Sequence, residues 1–371
     1  MDLSMTKFLI NMKNFHILCI IAISTFSAGC TDTPQPSDNY QWEDKTTSLN
    51  TQIVPADSDL LRTGGMAIRN DGFLLYNISQ PDIFSYYILR NDSLIFLAPV
   101  QKRGQGPYEA ISSRAVYLEA CDKLYLIDQQ SKEKAYGISL VDSTNLTDVK
   151  TWSTLKLPTT NSLFSIIPTG CDDTFIAQVL DNKEHMFCRF KAGDSTITPL
   201  ALPYPETGVA CPEITLGTAF IGTLQKRPRH EEYVFSAQNS RYVMIFTLKD
   251  NVPENIRLLY GAVPKFTMAA DGFNIKLSPD ALSGFYVQAT TDYIYLTPRN
   301  HRKIDAKTLE GHPAFATTFE TLVFDWNGEP VKRILLDKPV KNITVDNRGD
   351  YLYARHTDST SWEDHIVRVK L

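Results

Sequence analysis

The sequence predicts an all-β chain, a six-bladed β-propeller with four-stranded antiparallel blades, and three observations carry that expectation. Six times a short apolar strand runs into a tight polar turn and out through an aromatic-bearing strand, in segments that begin at Met66, Val116, Ile166, Tyr233, Phe285 and Ile343. The aligned aromatics Phe73, Tyr125, Phe175, Tyr242, Tyr295 and Tyr353 are spaced by 52, 50, 67, 53 and 58 residues, room for one four-stranded sheet plus its connections. The two ends are also complementary. Residues 366–371 alternate as a strand, and 51–54 precede the first complete repeat, so the N-terminal strand is expected to complete the last blade and cover edges left open otherwise.

Taken from the N-terminus, residues 17–26 form an apolar stretch preceded by Lys7, Lys13 and His16, too short to span a bilayer. It reads as a secretory signal covering residues 1–29, and Met12-Lys13-Asn14 offers a second, more usual start for such a leader. Ser27-Ala28-Gly29-Cys30 resembles the lipobox of bacterial lipoproteins, although Ser27 stands where that pattern usually has leucine. The resemblance implies a diacylated Cys30 as the mature N-terminus. Residues 30–48, with two prolines and little to bury at their start, read as a flexible tether, and 49–371 as the propeller.

Without residues 1–29 the chain has 342 residues, with 35 Lys+Arg against 41 Asp+Glu, a net charge of about −6. No basic stripe is available, which argues against nucleic acid as a partner. Four cysteines remain beyond Cys30: Cys121, Cys171, Cys188 and Cys211. Cys121 and Cys171 hold equivalent places in consecutive repeats, expected to lie further apart than the roughly 7 Å Cα limit of a disulfide, so they are expected unpaired with each other. No Cys-x-x-Cys or clustered Cys/His spacing occurs, and neither a metal nor a cofactor is expected.

Blade residues follow from strand chemistry. In Asp122-Lys123-Leu124-Tyr125, Asp292-Tyr293-Ile294-Tyr295 and Asp350-Tyr351-Leu352-Tyr353 the acid lies in or just after the turn, where Asp hydrogen-bonds local backbone. The alternation that follows sets Leu124, Ile294 and Leu352 toward one neighbouring blade and the tyrosines toward the other.

One motif stands outside the repeats: Lys102-Arg103-Gly104-Gln105-Gly106-Pro107-Tyr108-Glu109. Gly104 and Gly106 are expected to supply backbone angles that other residues avoid, and Pro107 to fix the exit. This G-x-G-P-x-E loop, with Val323-Phe324-Asp325-Trp326-Asn327-Gly328-Glu329-Pro330-Val331 and Asn342-Ile343-Thr344-Val345-Asp346, resembles the TolB-like six-bladed propeller lipoproteins of Gram-negative envelopes. The resemblance covers roughly residues 50–371 and implies an outer-membrane lipoprotein on the periplasmic or cell-surface face. Arg103 and Glu109 admit a ligand-binding role, but the favoured reading has them pair with each other or cap loop backbone.

Enzyme signatures fail: there is no G-x-S-x-G elbow, no H-E-x-x-H, and no ligand spacing among the histidines, so no catalytic residue is assigned. The expected function is a non-catalytic binding or scaffold module for an envelope protein or glycan. The rival is a propeller hydrolase, lyase or lactonase acting on carbohydrate, with carboxylates from distant blades converging over the channel. The excess length lies in residues 208–232, 264–283 and 299–313, and loops on a rigid scaffold are where recognition resides. Their Arg227, Arg229, Phe266, Phe273, Arg302 and His312 form the expected binding rim, because arginine and aromatics dominate interface anchors.

Overall fold

The structure, a computed structural model, describes residues 40–371 except 59, 61–62, 70, 79, 160–161, 272–273, 300–317, 359 and 362; of 63–69 it describes the backbone. The leader, Cys30 and, of the expected rim, Phe273, Arg302 and His312 lie outside the described residues.

Two short strands come first, β1 (Thr46–Leu49) and β2 (Gln52–Val54). Blade 1 is β3 to β6 (Thr63–Arg69, Gly72–Asn77, Asp82–Arg90, Ser93–Lys102), and blade 2 is β7 to β10 (Ser113–Leu118, Lys123–Asp128, Lys134–Ser139, Ser153–Lys156). Blade 3 is β11 to β14 (Leu163–Pro168, Thr174–Val179, Phe187–Lys191, Thr198–Leu200). A short helix α1 (Glu213–Ala219) leads to blade 4, β15 to β18 (Gly222–Lys226, Glu232–Ala237, Tyr242–Lys249, Val252–Gly261). A small hairpin, β19 (Phe266–Met268) and β20 (Ile275–Leu277), precedes blade 5, which comprises β21 (Phe285–Ala289), β22 (Tyr293–Pro298), β23 (Thr318–Asp325) and the first part of β24 (Pro330–Val345). The rest of β24 opens blade 6, followed by β25 (Tyr351–Thr357) and β26 (Asp364–Lys370). The innermost strands β3, β7, β11, β15, β21 and β24 lie each against the next, and β24 against β3 closes the ring.

The fourth strand of blade 6 is β2, antiparallel to β26, as expected from the two chain ends. It also reaches blade 1, since Leu94 N–H donates to Pro55 O at 2.7 Å and Asp57 N–H to Leu94 O at 3.0 Å. The tether ends earlier than expected. Tyr40 and Trp42 set their rings edge-on to Phe324 at 5.0 and 5.4 Å, and β1 runs parallel to β24 as an extra strand on blade 5. Residues 40–48 therefore belong to the packed domain, because their aromatics bury against blades 4 and 5.

Among the described residues, buried clusters fill all six interblade boundaries, and strand alternation explains the assignment. In β8, Leu124 and Leu126 pack toward blade 1 while Tyr125 and Ile127 pack toward blade 3. In the same way Ile294 and Leu352 face the preceding blade, and Tyr295 and Tyr353 the following one. Each such side chain contributes about 1.5–3 kcal/mol by leaving water.

The fourth repeat is out of phase with the sequence alignment. The hairpin beginning at Tyr233 joins β16 to β17, the second and third strands of its blade, whereas the other five copies join the first and second. Tyr233, second in β16 as Phe73 is in β4 and Phe175 in β12, is the true equivalent, which brings the neighbouring spacings to 58 and 62 residues. The long 208–232 excursion thus contains the innermost strand of blade 4 and is no rim insertion.

Candidate functional site

Because every blade is a four-stranded meander, the turns after the innermost strands gather at one end of the ring, and the connections between blades at the other. The innermost strands enclose a channel of about 500 Å³. Its wall mixes polar and apolar groups, with Tyr76, Tyr117, Thr223, Gln225, Gln288 and Asn342 among the polar contributors and Val116, Ile167 and Val287 among the apolar ones.

Arg114 of β7 crosses this channel. Its Nη1 donates to Ser165 Oγ at 3.1 Å and its Nη2 to Leu224 O at 3.4 Å, tying blades 2, 3 and 4. Ser165 sits at an irregularity of the β11–β12 ladder with φ of 46°, and its Oγ also accepts from Leu224 N–H at 2.9 Å. Burial lowers the Arg114 guanidinium to a pKa of about 10, which leaves it charged at neutral pH.

The mouth at the inner-turn end carries three more cations, each with a carboxylate. Lys226 Nζ donates to Glu231 Oε1 at 2.6 Å and to Thr169 O at 2.6 Å. Arg227 pairs with Glu232, donates through Nε to Thr291 O at 2.7 Å, and lies over the Trp326 ring at 5.4 Å, so it clamps blade 4 to blade 5. Arg229, the most exposed, donates to Glu119 Oε1 of blade 2 at 2.7 Å. The next turn of this mouth brings Cys121 and Cys171 together. Both thiols are free, as expected; Cys121 Sγ donates to Leu118 O at 4.0 Å, and Lys123 Nζ and Tyr125 Oη of blade 2 both donate to Asp173 Oδ1 of blade 3, at 2.5 and 2.9 Å. Burial first, then Cys171, pushes the Cys121 thiol up to about 12.

Of the expected rim, Arg227 and Arg229 lie at this mouth, whereas Phe266 lies between blades, at the opposite end. Phe266 is only 4% exposed, so it is a packing residue and not a surface anchor. The described rim residues do not converge on one surface, since a meander delivers its successive loops to alternate ends.

The G-x-G-P-x-E loop is a backbone-capping device. Glu109 Oε2 accepts from Gly106 N–H at 2.8 Å, and a Cβ on Gly104 would overlap the Glu109 carboxylate. The glycines supply space and not unusual angles: neither has positive φ, and the left-handed residue is Tyr108 at 63°. Arg103 does not pair with Glu109. It donates to three carbonyls, Gln80 O at 2.9 Å, Ile111 O at 2.7 Å and Asn77 O.

Among the described residues no three His, Cys, Asp or Glu side chains are placed to hold a metal ion, and no helix is long and apolar enough to cross a membrane. Sequence reasoning missed Arg114, Ser165 and Glu119. The available signal was Arg114 itself, a charge inside the otherwise apolar innermost strand Ala115-Val116-Tyr117-Leu118.

A family model described as TolB-like 6-blade propeller-like matches residues 59–348. Among solved structures, a member of the DUF4221 family from Bacteroides vulgatus is similar with a TM-score of 0.51 at 10% identity, over 86% of this chain and 95% of that one. A gluconolactonase from Xanthomonas campestris gives 0.45 at 11% identity, over 86% and 88%. Identities this low speak to fold alone. No curated protein matches the sequence.

Proposed function

The chain belongs to the TolB-like 6-blade propeller-like family, and from that premise we propose that it is a binding module held at the envelope membrane by a lipid on Cys30, taking a glycan at its channel mouth. The carrying observation is the channel, about 500 Å³ with hydroxyl, amide and tyrosine side chains around its wall. Amide and hydroxyl groups match sugar hydroxyls in both donor and acceptor character, and tyrosine rings offer flat faces for stacking. A glycan is favoured over a protein partner because the hydroxyl and amide groups of the wall are recessed inside the ring, where a chain end enters and a flat protein surface does not.

The test is calorimetric titration of the purified protein with envelope oligosaccharides, alongside the Gln225→Ala, Gln288→Ala double variant. Binding by the wild type and a loss of about tenfold or more in the variant is the expected result, equivalent to about 1.4 kcal/mol. Capture of a protein partner that is indifferent to the double variant, or turnover of a sugar lactone, overturns the reading. Anchoring is checked separately: Cys30→Ala should abolish incorporation of labelled fatty acid and release the protein from the membrane fraction.

A further inference from the structure

We infer that the channel contains a seat for an acidic group, a carboxylate or sulfate carried by the ligand, on the guanidinium of Arg114. The inference rests on the channel reading above and specifies the chemistry of what enters.

The cations of the channel wall can be compared one by one. Lys226, Arg227 and Arg229 each have a carboxylate of their own, on Glu231, Glu232 and Glu119. Arg114 has none among the described residues; its two hydrogen-bond acceptors, a serine hydroxyl and a main-chain carbonyl, are both neutral. A guanidinium carries five N–H donors in a fixed fork, and two are used here. Withdrawing such a cation from bulk water is unfavourable, and neutral acceptors offset that only in part. The cost is recovered when an oxyanion completes the pair, most effectively with two parallel N–H···O bonds.

Position supports the same conclusion. Arg114 is enclosed by blades 2, 3 and 4, yet it lines the channel and keeps part of its surface exposed there, so an entering group can reach it. Ser165 fixes the fork: its hydroxyl accepts from Leu224 N–H on a left-handed backbone that serine rarely adopts. Strain of that kind persists where the surroundings hold a side chain in a required place.

The experiment titrates the purified protein with three probes, sodium glucuronate, glucose and inorganic sulfate, and follows the Arg Nε–Hε resonances by NMR beside calorimetry. Glucuronate should bind about tenfold or more tightly than glucose, and glucuronate and sulfate should both shift the Arg114 resonance. Arg114→Gln should abolish the preference for the acid, and Arg114→Lys should retain part of it. A role limited to holding blades together would lower the melting temperature of both variants without changing the glucuronate-to-glucose ratio, and that outcome overturns the proposal. Equal binding of glucuronate and glucose by the wild type overturns it as well, while leaving the glycan reading intact. If no saccharide binds but sulfate still shifts Arg114, the anion seat stands and the glycan reading falls. If no probe moves the Arg114 resonance, the seat does not exist, and this wild-type measurement decides even if a variant fails to fold.

Discussion

Lys123 Nζ of blade 2 donates to Asp173 Oδ1 of blade 3 at 2.5 Å across fifty residues of chain, and the same two turns set the free thiols of Cys121 and Cys171 beside each other. The contact is imposed by their neighbours, because Asp173 accepts from both Lys123 and Tyr125 and draws the two turns together.

Oxidised glutathione should therefore link them. The exposed Cys171 sulfur attacks the glutathione disulfide and releases one glutathione; the Cys121 sulfur then displaces the second, and the two thiol protons leave with the two glutathiones. Peptide mapping should find the 121–171 crosslink, with a mass loss of two hydrogens, while the buried Cys188 stays reduced. Closing a loop of that length should add about 4 kcal/mol to stability, and Cys121→Ser should show neither effect. Crosslinking to Cys211 instead would contradict the contact.

The loop at 103–109 should behave as one coupled unit. Gly104→Ala displaces the Glu109 carboxylate from Gly106 N–H, and Glu109→Ala removes the same bond, so each should cost about 1–3 kcal/mol. The double variant should cost little more than the worse single one, since both delete one interaction. Additive losses in urea unfolding would show that glycine and carboxylate act separately.

The propeller period and the inside-outside alternation were legible because both depend on large residues repeated in every blade. The fourth blade slipped because its innermost strand, Gly222-Thr223-Leu224-Gln225-Lys226, holds one large apolar residue and gives little strand signal, while the next hairpin mimics the motif. The candidate site was scarcely legible for a different reason. Its residues come singly from strands of different blades, and only closure of the ring turns Arg114, one polar residue in a strand, into the wall of a channel. The G-x-G-P-x-E loop was visible as a motif, yet its cause was misread, because glycines that make room and glycines that adopt positive φ look the same in sequence.

Ring closure by the N-terminal strand sets a sharp contrast between adjacent residues. Val54 is 2% exposed in the blade 6–blade 1 cluster, and Ile53 is 47% exposed on the other face of β2. Val54→Ala should cost about 1.5–2.5 kcal/mol and Ile53→Ala under about 0.5 kcal/mol. Deleting residues 48–55 uncovers β26 and the Leu94 backbone at once, and should lower the melting temperature of the whole domain in a single transition. An unchanged melt after that deletion would mean the strand does not close the ring.

Alkaline pH should unfold the protein through its buried tyrosines. Burial raises the pKa of Tyr204 and Tyr233, and that of Tyr242 to about 12. The unfolded chain ionises these phenols near pH 10, before the folded one does, so above that pH the unfolded state has released protons that the native state still holds. Stability is then fully present below pH 10 and lost as pH rises, by about 1.4 kcal/mol per pH unit for each tyrosine, or about 4 for the three together. Urea midpoints should fall steeply above pH 10, with tyrosinate absorbance appearing together with unfolding. Tyr242 and Tyr204 separate the mechanism from general alkaline damage. Among the described residues the Tyr242 hydroxyl reaches only Met244 Sδ, at 3.9 Å, so Tyr242→Phe should be nearly neutral at pH 7 and shallower in its alkaline loss. The Tyr204 hydroxyl donates to Val179 O at 2.6 Å and accepts from Gln178 Nε2 at 3.1 Å, so Tyr204→Phe should cost about 1–3 kcal/mol at pH 7 even as it removes its share of the slope. Ionisation of all three phenols near pH 10 with the fold intact would contradict the burial that drives the effect.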